Sequence, residues 1–267
     1  MNNVLQEYVE LSNRHNYLSP TKFLFSSSIF EYDIRQANIN VLRAFGRLSD
    51  KDYHRLSIAD KRSREIEIGN WIANDSTVYE TIQNGIKKAK LGLLTSNKVS
   101  PTDVLRIAND AVYVISPHPL RYTKFTINES SDCTVEFVAK NRFTSYLSLG
   151  DVIVLINSDG EGWDIDIKGI SDDLIPLHEA FISTICNLVQ SREMGGVDMA
   201  AREFNNFFQE YVNLVLPIEY YREFNSVSGY RVKGAPFILL QAPPLEHVDI
   251  GYNLRLLRSL YAYLISK

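Results

Sequence analysis

Two aspartates stand where a fold can aim a carboxylate. Asp33 closes the apolar run Ile29 to Ile34, and the residues after it open a helical pattern. A carboxylate at a strand end beside a helix N-terminus can hold Mg²⁺, and the helix amides can approach a phosphate. The same aspartate can equally do no more than cap that helix. Asp110 lies in Asn109-Asp110, flanked by Val104-Leu105-Arg106-Ile107 and Val112-Tyr113-Val114-Ile115, so it is expected at the tip of a β-hairpin. A hairpin tip fixes a carboxylate in place, although Asn-Asp is also ordinary turn chemistry. A third set lies between Asp151 and Lys168. There Asp166-Ile167-Lys168, with Asp151 or Asp159 upstream, has the residue types of a Mg²⁺-dependent nuclease. The alternation of Trp163, Ile165 and Ile167 with Asp164, Asp166 and Lys168 is equally that of a half-exposed strand. The five histidines and two cysteines show no metal-ligand spacing, and no metal is assigned to them.

The elements that would position these groups follow from periodicity. Val4 to Leu11 has helical spacing and precedes Ser19-Pro20. Phe23 to Phe25 and Ile29 to Ile34 read as strands, and Ala37 to Phe45 as a helix stopped at Gly46. Two helical stretches, Ser57 to Ala73 and Ser76 to Leu94, are separated by the capping residues Asn74-Asp75-Ser76 and suggest a helical hairpin. After Ser100-Pro101 the period shortens to two. The hairpin around Asp110 is followed by strands at Tyr122 to Ile127, Thr134 to Val138, Val152 to Ile156 and Trp163 to Lys168. Helical spacing returns at Leu174 to Val189, Met199 to Leu216 and Asn253 to Ile265, with a loop at Gly195-Gly196. The expected class is α+β: an antiparallel-sheet core with a helical hairpin insertion and a helical C-terminal subdomain. The division expected is 1–170 for the core, its hairpin at about 57–95, and 171–267 for the helical part.

Composition narrows the classes further. With 267 residues, 45% of them hydrophobic, the chain has the makeup of a globular protein with a sizeable core. Its 28 Lys and Arg against 32 Asp and Glu leave a net charge of -4, so any surface for a polyanion must be local. No apolar run approaches the roughly 18 to 20 residues that span a bilayer, and the N-terminus lacks the pattern of a signal peptide. A soluble, cytoplasmic protein with reduced thiols and no membrane partner is expected. Lys61, Arg62 and Arg64 suggest a solvated mixed-charge helix face or a contact to template or nucleotide. Lys98, Arg121, Lys124, Lys140 and Arg142 recur along the middle strands, as a duplex groove or as charges that keep a sheet soluble.

An acid-bearing strand, a lysine-rich helical hairpin (Lys87, Lys88, Lys90) and an acid-bearing β-hairpin, in that order, resemble the palm of right-hand nucleic-acid polymerases. Asp33-Ile34-Arg35-Gln36-Ala37-Asn38 is similar to the first palm motif, D-x-S-Q-x-E in family A and D-x-x-S-L-Y-P in family B. Gln36, Asn38 and Leu42 fall where family A places its glutamine, sugar-gating glutamate and an apolar residue, whereas the short gap to Asp110 fits family B. Asp110 would be the third-motif aspartate of either. The motifs depart from both families: Ala108 replaces the first acid of D-T-D, Asn109 and Ala111 replace the neighbours in H-D-E, and Asn84-Gly85 only echoes the family B fingers motif.

The resemblance covers about residues 29 to 116. It implies a phage-encoded template-directed nucleotidyltransferase acting in DNA replication, in which Asp33 and Asp110 are catalytic and bind Mg²⁺ or Mn²⁺. Gln36, Asn38, Lys87, Lys88 and Lys90 would then bind nucleoside triphosphate or nucleic acid. A gate as small as Asn38 implies weak exclusion of ribonucleotides. Two alternatives remain: a non-catalytic nucleic-acid-binding or assembly protein on a degenerate palm, and the Mg²⁺ nuclease with Asp151 or Asp159, Asp166 and Lys168.

Overall fold

The computed structural model describes residues 2–150, 152–158, 163–224 and 229–266. Its fold is α+β, with antiparallel strand pairing. The chain forms two compact units, residues 1–20 with 27–142, and residues 21–26 with 143–267. The break therefore falls at 142/143, and the strands between 143 and 170, which periodicity grouped with the first part, belong with the C-terminal helices.

The first unit carries α1 (Asn2–Asn13), β1 (Asn16–Leu18), β3 (Ile29–Ile34), α2 (Ala37–Ala44), α3 (Asp50–Ile58), α4 (Lys61–Asn74), α5 (Ser76–Ser96), β4 (Val104–Ala108), β5 (Ala111–Ile115), β6 (Lys124–Thr126) and β7 (Thr134–Phe143). Its sheet has the order β1-β4-β5-β3-β7-β6. Along β3, side chains alternate between the two faces. Phe30, Tyr32 and Ile34 enter a buried cluster with Ile39, Val41 and Leu42 of α2 and Ile82, Ile86, Ala89 and Leu93 of α5. Glu31 and Asp33 therefore face the other way. The pairing that matters for the site is β3 with β5, in the register Glu31↔Tyr113 and Asp33↔Ala111.

Sequence periodicity gave one helix here, Ser57 to Ala73, which matches α4 but leaves most of α3, Asp50 to Leu56, unread. Ser49 and Asp60 each accept a hydrogen bond from a backbone amide of the following turn, at Asp52 and Ser63, and so cap α3 and α4 separately. Asp75, in the expected capping triplet, starts α5 by accepting from the Thr77 amide. Ahead of them, α2 ends as expected at Gly46, whose φ of 67° places it in the left-handed region. Asn84-Gly85, the echo of a fingers motif, has a packing role. A Cβ at Gly85 would lie 2.2 Å from Val41 Cγ1, so the glycine is what lets α5 approach α2.

The second unit has the sheet β10-β9-β8-β2, from β2 (Phe23–Leu24), β8 (Ser145–Leu149), β9 (Val152–Ser158) and β10 (Trp163–Lys168). Periodicity missed β8, all five of whose residues are buried, because a strand buried on both faces loses its alternation. The sheet shares a core with α6 (Glu179–Val212) and α7 (Gly251–Ile265), in which Phe181, Ile185, Tyr211, Leu257 and Tyr263 are buried. Helix α6 is broken at Gly196, where φ is 78°, in the expected glycine pair. A small ribbon of β11 (Tyr230–Arg231) and β12 (Ile238–Leu239) completes the unit.

Gly85→Val should drive two methyl groups into Val41 and Ile127 and destabilise the first unit by roughly 2–3 kcal/mol, read as a lower urea midpoint.

Candidate active site

Asp33 is the penultimate residue of β3, and Asp110 sits in the two-residue tip joining β4 to β5. Because Asp33 pairs with Ala111, the residue immediately after Asp110, the two carboxyl groups come side by side. They are close enough that Asp33 acts on Asp110 both as a like charge and through a side-chain hydrogen bond. Burial first, and the Asp33 charge second, push the Asp110 carboxyl up to about 6. The hairpin itself is set by Asn109, which takes the left-handed conformation (φ 54°) that asparagine tolerates better than most side chains.

The pair opens into a pocket of about 560 Å³. Asp33, Gln36, Asn38, Asp110 and Lys140 line it, and so do Lys61, Arg64 and Glu65 of α4. Lys140, on β7, forms an ion pair with Asp33 Oδ2. That contact, ahead of burial, holds the Lys140 ammonium above the ordinary lysine value, with Glu31 and Asp110 adding to it. Asp33 Oδ1 is buried and, with Asp110 ionised, meets no hydrogen-bond donor. Two residues before it, Glu31 is buried on the same face of β3 and accepts hydrogen bonds from the Tyr113 hydroxyl (2.8 Å) and Asn141 Nδ2 (2.7 Å). Glu31 is the part of this cluster that sequence reading did not single out, whereas Lys140, expected as a duplex-groove or solubilising charge, is found against Asp33. The signal for Glu31 was its i-2 spacing from Asp33, which on a strand means the same face.

The residues expected to bind substrate divide. Asn38 lines the pocket, and so does Gln36, but the Gln36 side-chain amide donates to the Ser57 carbonyl at 2.9 Å and ties the start of α2 to the end of α3. The lysines of α5 require correction. None of Lys87, Lys88 and Lys90 lines the pocket. Lys88 lies over the Phe45 ring, 5.3 Å from its centroid. Lys90 is only 2% exposed and donates to main-chain carbonyls, so it has no path to a phosphate. The reason is rotational: α5 spends the face that carries Lys90 on the core, and the cations that line the pocket are Lys61 and Arg64 of α4, Lys140 of β7 and Arg35. Of the two on α4, the side chains are engaged locally: Arg64 Nη1 donates to the Ala59 carbonyl at 3.0 Å, and Lys61 faces Glu65 at 3.7 Å. Two other middle-strand cations are engaged locally, Arg142 with Ser28 Oγ (2.9 Å) and Lys124 with Glu136 (3.4 Å).

For the nuclease alternative, Asp151 and Asp159 lie outside the described residues. Asp166 and Lys168 share one face of the edge strand β10 and pair with each other at 2.6 Å.

The donor set at Asp33 and Asp110 suits a hard divalent cation. It offers two adjacent carboxylates, one of them with a buried oxygen, and an Asp110 carboxyl whose pKa is raised by burial and by the Asp33 charge, which a bound cation would relieve. Among the described residues no group of three or more His, Cys, Asp or Glu converges, so such an ion would complete its shell with water and substrate oxygens.

Residues 7–237 match the family described as Bacteriophage PBS1 gene 130 protein, and the chain belongs to that family. The phage origin implied by the sequence is thereby supported. No curated protein matches the chain. Among the described residues, no helix is long and apolar enough to cross a membrane.

A carboxyl whose pKa is higher folded than unfolded favours the native state when protonated. The resulting penalty is therefore absent below about pH 4 and complete above about 6, the value to which Asp110 is raised. Asp110→Asn should stabilise the protein by roughly 1–2 kcal/mol at pH 7.5, after allowance for solvent screening, and by nothing at pH 3.5. Urea denaturation of both proteins at the two pH values measures it. An unchanged difference between them would remove the raised Asp110 pKa, from burial and from the Asp33 charge, from the account.

Proposed function

We propose that this pocket carries out Mg²⁺-dependent nucleotidyl transfer on a palm of the right-hand polymerase type, with nucleic acid and nucleoside triphosphate as substrates. The observation that carries the reading is the convergence of Asp33 and Asp110 through the β3–β5 register. Support comes also from the order of parts, since an acid-ended strand, a helical insertion and an acid-tipped hairpin succeed one another and the strands adjoin in one sheet.

Asp33 and Asp110 would hold the ion. When bound, Mg²⁺ activates a 3′ hydroxyl and neutralises triphosphate charge. The protein's own residues do the rest. Lys140 neutralises Asp33 in the resting site and swings away to free Oδ2, for which its half-exposed side chain has room. Asn38 meets the sugar side of the nucleotide, and Lys61 offers the triphosphate a mobile cation at the pocket wall. Gln36 keeps the start of α2 registered against α3.

A second reading has one observation in its favour. The Lys140–Asp33 ion pair already neutralises half of the acidic pair, as a binding module that has lost metal chemistry would require. That protein would hold nucleic acid with no dependence on divalent ions.

Extension of a labelled primer-template in Mg²⁺ and in Mn²⁺ separates the readings. Wild-type extension, reduced at least about 100-fold in both Asp33→Asn and Asp110→Asn, is the expected result. A label that shortens equally in all three proteins points to the acids near Asp166. Duplex retained unchanged, with or without metal, leaves the binding module.

A further inference from the structure

The hairpin tip that carries Asp110 is held from beneath. The Asn109 amide donates to the His15 carbonyl at 2.7 Å. The Asn109 carbonyl accepts from Lys90 Nζ at 3.3 Å, and the same ammonium donates to the Arg14 carbonyl at 2.7 Å. Both polar backbone groups of the one left-handed residue in the turn are therefore engaged, by a segment at the end of α1 and by a side chain of α5.

Lys90 is costly where it stands. It is 2% exposed, it donates to two neutral carbonyls, and burial brings its ammonium down to about 8. A methionine of similar length would fill the same volume without that desolvation. What the lysine adds is a bridge between two carbonyls, one from the α1–β1 junction and one from the hairpin. It also sets a positive charge on the protein side of Asp110, an attraction that partly opposes its own desolvation.

We propose that Lys90 is a positioning residue for the two-carboxylate site, its ammonium fixing the Asn109 carbonyl so that Asp110 is presented beside Asp33. The proposal rests on the reading of that pair as a divalent-cation site. It differs from a phosphate-contacting role for the same lysine, because Lys90 acts through the backbone of the turn and touches no substrate.

The test uses two readouts on the whole protein: Mn²⁺ binding, followed by the electron paramagnetic resonance of the free ion, and hydrogen exchange of the segment 104–115. Variants are Lys90→Met and, as a control from the same helix, Lys88→Met. Lys90→Met is expected to keep a cooperative unfolding transition, to bind Mn²⁺ about 10-fold or more weakly, and to exchange faster at the tip. Lys88→Met is expected to match the wild type in all three. Wild-type Mn²⁺ affinity and tip protection in Lys90→Met overturn the proposal. Wild-type protein that binds no Mn²⁺ overturns the cation reading instead, and tip exchange in Lys90→Met still decides whether the lysine holds the turn. If Lys90→Met does not fold, exchange in the wild type decides: tip amides as slow as those of β4 and β5 support the hold, and tip amides that exchange like free chain overturn it.

Discussion

The first unit depends on one pairing, β3 against β5, in the register that sets Asp33 opposite Ala111. A shift of one residue would turn Glu31 and Asp33 toward the helices and Tyr32 and Ile34 toward the pocket. The apolar face of β3 excludes that shift, because Phe30, Tyr32 and Ile34 are all committed to the core with α2 and α5. Core packing thus imposes the meeting of two acids, and the electrostatic cost of that meeting is local. It adds to the effect of burial in raising the Asp110 carboxyl to about 6.

The surroundings offset the cost without removing it. Lys140 reaches Asp33 from β7, and Lys90 brings a buried positive charge near Asp110 through the turn. One cation is half-exposed and can leave, whereas the other is locked to main-chain carbonyls and cannot. That asymmetry gives the site a replaceable neutralising partner and a fixed one. Glu31 acts at a distance: its two oxygens are each hydrogen-bonded, by Tyr113 and Asn141, while its charge adds to the field that favours the Lys140 ammonium.

Much of the chain was legible before folding is considered. Period-two alternation identifies β3, β4, β5 and β10, and the Asn109-Asp110 tip follows from turn chemistry. Gly46 ends α2, and the Gly195-Gly196 pair breaks α6. The misses share a cause, which is that burial acts through neighbours that are distant in sequence. Strand β8 gives no alternation because both faces are covered, and α3 gives no helical period because Leu56 is the one residue of the nine that it buries. The middle strands read as a single sheet, yet they divide between two, since adjacency along the chain does not say which edge a strand joins.

The sequence by itself determined that Asp33 would stand at a strand end and Asp110 at a hairpin tip, because both positions follow from local periodicity and turn preference. Only the tertiary structure decided that they meet, that Lys140 is the cation between them and the pocket, and that Lys90 points inward. Those outcomes depend on strand order and on the rotation of α5 about its axis, quantities settled by packing the whole core and not by any short stretch of residues.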